Sequence, residues 1–231
     1  MPLANPESSS TGPRPRRFAL VLAASLALAV AQPVLGSLFD EDASFDVFFS
    51  LLILAVLLFV FEQRRHRRTA FSIGLAAMVG TWVGYGLPGA LGTAIVVLAL
   101  LAAACVFLFA LCRILPAIFV KDPSWDALLG AVCGYLLLGI IWTVLYRAVE
   151  TASPGSFSVP AQQAGRSSGV DRATLGYYSF ITLATVGYGD VAPITPIART
   201  LAWTEAVAGQ FYLAVLVAGL VGVKVSQAIN R

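Results

Sequence analysis

Between Thr69 and Cys112 the chain carries no charged residue, and Gly86-Leu87-Pro88-Gly89 is the one strong break in that apolar stretch. A helix crossing a bilayer needs about 20 apolar residues. Proline set between glycines ends a helix, so the stretch divides into two spans, 70–85 and 90–111. The rest of the chain repeats the pattern: 58% of its 231 residues are hydrophobic and 12% are charged. Mean hydropathy is +0.84, whereas a soluble domain carries about 25% charged residues. The expected fold is therefore an all-α integral membrane protein, with room for about five to seven spans. Cys105, Cys112 and Cys133 lie in apolar runs without metal-like spacing and read as free, buried thiols.

Residues 1–15 are polar and rich in Pro and Ser, which predicts a disordered cytoplasmic tail ending near residue 17. Apolar runs follow at 18–38 and 47–61, separated by Asp40-Glu41-Asp42 and Asp46. Arg64-Arg65-His66-Arg67-Arg68 then precedes the two spans of the charge-free stretch. A polar connection, 113–126, leads to a fifth span at 127–146. Segment 147–171 reads as an exposed loop, 172–184 as a helix too short to cross, and 200–223 as the sixth span. Two membrane units result: a four-helix unit, 18–115, and a second unit, 116–231.

Charge placement orients this arrangement. With a cytoplasmic N-terminus, eleven basic residues lie inside, and only Arg147, Arg166, Arg172 and Arg199 lie outside. That satisfies the positive-inside rule and places both termini in the cytoplasm of a cell membrane. The first run, with Ala29-Val30-Ala31, also resembles a cleavable signal peptide. Its apolar character continues to Leu38, which favours an uncleaved span.

After the short helix comes Thr185-Val186-Gly187-Tyr188-Gly189-Asp190. Gly187 and Gly189 alternate with side chains able to anchor a strand, and glycine alone turns its backbone freely in either hand. Such a strand can direct successive carbonyl oxygens to one side, with the Thr185 hydroxyl at the inner end. A row of oxygens replaces the water shell of a monovalent cation. One strand cannot encircle an ion, and the chain holds one copy, so four chains around an axis are implied.

These residues resemble the selectivity filter of tetrameric potassium channels. The resemblance extends over 127–226, in the order outer helix, pore helix, filter, inner helix. It implies potassium bound at Thr185, Val186, Gly187 and Tyr188, with Gly189 completing the filter. Thr182 and Asp190 match filter-supporting positions. Tyr177 and Tyr178 stand where many relatives carry a tryptophan pair, and imply an aromatic cuff. Pro193 and Arg199 sit on the way to the inner helix, where relatives often carry such residues. Ile181 and Ala184 replace polar residues that some relatives place behind the filter. Gly209 matches the inner-helix hinge; Leu213 and Val217, on one side of that helix, and Gly219 below them are the gate candidates. The implied protein is a homotetrameric potassium channel, neither an enzyme nor dependent on a cofactor. A weakly selective cation channel and a non-conducting regulatory subunit are the alternatives.

Six spans with a C-terminal pore also resemble the layout of voltage-gated potassium channels, whose fourth span carries arginines. Here that span carries none before Arg113 at its end. One charge moved through the field is worth about 2.3 kcal/mol per 100 mV, so conventional voltage gating is not expected. Arg64, Arg65, Arg67 and Arg68 suit topology determination and contact with anionic lipid headgroups, with His66 a bystander. Gly80-x-x-x-Gly84 and Gly130-x-x-x-Gly134 read as packing sites. Glu205 and Gln210 are polar in an apolar span, and Glu205 either braces the filter surroundings or reaches water. The sequence names no gating stimulus.

Overall fold

The computed structural model describes residues 17–31, 34, 38, 41–59, 64–118, 125–159 and 170–229. The reading of 1–15 as a disordered tail lies outside them. Among the described residues the elements run α1 (Arg17–Leu26, continued by a π-type turn, Ala27–Ala31), α2 (Glu41–Phe59), α3 (Arg64–Gly86), α4 (Gly89–Ile118), α5 (Trp125–Ala152), β1 (Phe157–Ser158), α6 (Arg172–Leu183), β2 (Ala192–Pro193) and α7 (Pro196–Ile229). The two strands pair antiparallel, Phe157 with Pro193 and Ser158 with Ala192.

The break read at residues 86–89 is the reversal between α3 and α4. Gly89 has φ +81°, a conformation that costs an L-residue about 1–2 kcal/mol. The returning helix packs closely: a Cβ at Gly84 would meet the Val96 side chain at 2.6 Å, and one at Gly80 the Ala99 Cβ at 2.9 Å. The Gly80/Gly84 pair is thus a packing site.

Among the described residues three helices are long and apolar enough to cross a membrane, over Gly89–Pro116, Leu129–Ala152 and Pro196–Gly219; Ser44–Leu58 is a shorter apolar stretch. The fold is helical and membrane-capable. In α3, Gly74, Gly80, Thr81 and Gly84 dilute the hydropathy.

Two boundaries at buried charges differ from the hydropathy reading. Helix α2 starts at Glu41 and takes Asp46 inside it, where a polar separator was expected. Helix α5 continues to Ala152, burying Arg147 and Glu150 where an exposed loop was expected. Hydropathy ends a helix at its first charges, but these charges have partners elsewhere in the fold. Cys105 and Cys112 are exposed and only Cys133 is buried, so the buried-thiol reading holds for Cys133 alone.

The larger core joins α1, α2, α4 and α5 through residues such as Val21, Phe49, Leu52, Leu100, Phe107, Leu137 and Ile140. A smaller core surrounds Tyr146, Phe157, Leu175, Tyr178 and Val191. There the Tyr146, Phe157 and Tyr178 rings lie 5.1–5.5 Å apart, a spacing that favours edge-to-face contact. This second core holds α6 against α5.

Candidate functional site

Helix α6 is built to start and stop sharply. Asp171 caps its N-terminus, accepting from the Thr174 amide at 2.7 Å and from the Thr174 hydroxyl at 2.6 Å. A cap of this kind stabilises a helix by about 1 kcal/mol. At the other end Ala184 is the C-cap, and the chain turns back on the last helical carbonyls. The Thr185 amide donates to the Thr182 carbonyl at 2.9 Å. The Val186 and Gly187 amides both donate to the Ile181 carbonyl, at 2.8 and 3.3 Å. Run 185–189 is therefore anchored to the helix end by its own backbone.

Its dihedral angles alternate. Thr185, Gly187 and Gly189 have φ of +58°, +54° and +80°, and neither Val186 nor Tyr188 has positive φ. Alternation of left- and right-handed residues aligns successive peptide groups, amides on one side and carbonyls on the other. All five residues are exposed, Tyr188 at 72%.

Past the run, the Asp190 carboxylate accepts from the Val191 amide at 3.1 Å, and the Tyr177 hydroxyl lies near it. Tyr178 is buried in the second core. The two predicted aromatics thus divide their roles, one beside Asp190 and one behind the helix. The exit segment is tied down as well: Ile194 donates to the Ser156 carbonyl at 2.8 Å and Arg199 Nε to the Pro193 carbonyl at 3.2 Å. Glu150 fixes the turn bearing Ser156, its carboxylate accepting from the amides of Gly155, Ser156 and Phe157 at 2.9–3.3 Å.

Behind α6, Glu205 is fully buried. Ser179 Oγ donates to it at 2.5 Å, and the Tyr146 hydroxyl donates to its other oxygen. Of the two readings of Glu205, contact with water is overturned within the chain, because burial and two donors hold it between α5, α6 and α7. Gly209, one turn further on, lies against the end of α6: an added Cβ would stand 2.6 Å from the Leu183 carbonyl oxygen. Tyr135 donates to that same carbonyl at 3.3 Å. Leu213 and Val217 are exposed and Gly219 is half-buried. Arg68 is exposed, while the side chains of Arg64, Arg65, Arg67 and His66 lie outside the described residues.

Sequence reading missed Ser179, Tyr146, Tyr135 and Glu150. Each is a polar residue in an apolar helix or at its end, a signal that marks an internal partner without saying which. It also missed a role for Asp46, Arg147 and Arg172, which had been placed as a separator charge, a loop charge and the start of the short helix.

Against known families, residues 130–223 match the model described as an ion channel. These residues are similar to an ion-channel domain. Among curated proteins the chain is similar to the inward rectifier potassium channel Kirbac3.1 of Paramagnetospirillum magnetotacticum, 33% identical over 97 residues. That alignment covers 40% of this chain and 28% of the relative, so the chain spans less than a third of the length of the protein it matches. No solved structure matches. The resemblance to the potassium-channel family read from the sequence is supported by both matches. The domain takes in α5 from its second turn, all of α6, run 185–189 and most of α7.

Proposed function

We propose that this chain is the subunit of a potassium-selective channel in which four copies bring their 185–189 runs around one axis. The observation that carries the reading is the alternating φ of Thr185, Gly187 and Gly189 on an exposed run anchored to the end of α6. Backbone carbonyls presented in a row exchange for the hydration shell of potassium. Peptide groups exposed at membrane depth need protein or a water-filled cavity beside them, since lipid offers no hydrogen bonds. Copies of the same run around a pore meet that need.

In this reading Thr185, Val186, Gly187 and Tyr188 supply the potassium oxygens, and Gly189 and Asp190 form the outer mouth. The C-terminal end of α6 carries partial negative charge and favours a cation nearby. Leu213 and Val217 are the gate candidates on α7. Gly209 combines a possible bending point with a close contact at Leu183, so movement there is felt at the base of the filter. With no arginine in α4 before Arg113, conventional voltage gating is not proposed.

Flux of potassium and of sodium into proteoliposomes tests the reading. Potassium flux well above sodium flux is expected. Equal fluxes would point to a weakly selective cation channel, and no flux to a regulatory subunit.

A further inference from the structure

The charges set aside by the sequence reading meet in one place. Asp46 of α2, 5% exposed, divides its two oxygens between two arginines. Oδ1 accepts from Arg147 of α5 at 3.1 Å, and Oδ2 from Arg172 of α6 at 2.6 Å. Arg147, 2% exposed, also donates to the Tyr85 hydroxyl of α3 at 2.9 Å. Its guanidinium lies over the Phe45 and Phe49 rings, 4.8 and 5.4 Å from their centroids. Arg172 stacks on Tyr85 at 3.8 Å. Four helices therefore converge on one buried carboxylate.

Arg172 is the first residue of α6, the helix whose last turn anchors run 185–189. A cation at a helix N-terminus is unfavourable, because that end carries partial positive charge. The buried Arg147, which shares the same carboxylate, adds to the repulsion. Asp46 offsets both. Removing one partner of a buried ion pair leaves an uncompensated charge, which is far costlier than losing the attraction alone. Such a group holds its neighbours in one geometry. A helix of 12 residues is short and stiff, so displacement at Arg172 is carried to Ile181 and the amides it anchors.

We propose that Asp46, from outside the ion-channel domain, is a positioning residue for the filter, acting through Arg172 at the start of the helix that carries it. The inference rests on the potassium-channel reading. It also gives the helices ahead of the domain a defined route to the filter: a rearrangement that moves α2 or Tyr85 moves the Asp46–Arg172 pair.

The test compares the full chain in proteoliposomes as wild type, Asp46→Asn, Asp46→Glu, Arg172→Gln and Leu54→Ala, an exposed position on the same helix. The ratio of potassium to sodium flux is measured, with assembly followed by size-exclusion chromatography. Asp46→Asn and Arg172→Gln are expected to assemble and to lower the ratio by about tenfold or more. Asp46→Glu retains most of the ratio, and Leu54→Ala all of it. An unchanged ratio in an assembled Asp46→Asn overturns the inference, as does an equal fall in Leu54→Ala. If Asp46→Asn does not assemble, Arg172→Gln decides by the same criterion. Failure of both to assemble also overturns it, since the cluster is then a folding element. A wild-type ratio near one sinks the potassium reading itself.

Discussion

The outer helix α5 and the inner helix α7 are both long and apolar, yet the fold treats them in opposite ways. Of the membrane-length window in α5, 61% is buried within the chain; in α7 the figure is 11%. Helix α5 is enclosed by α1, α4, α6 and α7. Helix α7 leaves Trp203, Val207, Phe211 and Val215 uncovered, and the 185–189 run is equally bare. Lipid can cover Phe211 and Val215. It cannot satisfy the peptide groups of 185–189. The difference teaches that one half of the domain is finished by its own chain, while the other presents polar backbone that supports completion by further copies.

Six variants probe these regions. The largest effect is expected at the bare side, from Gly187→Ala. Nothing stands within 4 Å of a Cβ there, but φ is +54°, and an L-residue in that region costs about 1–2 kcal/mol in each of four copies. Selective potassium flux should fall about a hundredfold or more; wild-type flux would remove the backbone argument for the filter.

A matched pair comes next. Ile140→Ala, on α5 and 2% exposed, should cost the chain about 2–5 kcal/mol in thermal or denaturant unfolding. Phe211→Ala, on α7 and 66% exposed, should leave that stability nearly unchanged and weaken assembly on size-exclusion chromatography. Equal loss of stability in both variants would break the comparison outright.

Glu205→Ala lies where the two sides join. It strips the Tyr146 hydroxyl of its acceptor and leaves Ser179 the Gly139 carbonyl alone, for an expected loss of about 1.5–3 kcal/mol in unfolding. Glu205→Gln, which keeps an acceptor, should lose less; the reverse order would show that the hydrogen bonds are not what matters there. The smallest effect is expected far from the pore. Arg68→Gln removes one exposed cation from the basic run and should weaken binding to anionic vesicles by about 1 kcal/mol. Binding indifferent to lipid charge would end the lipid reading of that run.

Features written in contiguous residues were legible in advance. The reversal at residues 86–89, a short helix at 172–184 and the glycine alternation at 187 and 189 depend on near neighbours and on backbone freedom. What escaped were charges whose partners lie far along the chain. Hydropathy treated Arg147 as the start of a loop because an isolated arginine in lipid is costly. Its carboxylate partner lies 101 residues away, and the Asp46–Arg172 pair spans 126.

By itself the sequence determined that this is a membrane-capable helical chain whose one filter-like run resembles that of potassium channels. Apolar length and the freedom of glycine are local properties and need no tertiary contact. Only the tertiary structure decided that Glu205 faces Ser179 and Tyr146, that Gly209 lies against Leu183, and that Asp46 reaches the first residue of α6. A buried charge is tolerable only beside its partner, and which residue becomes that partner is settled when distant helices pack.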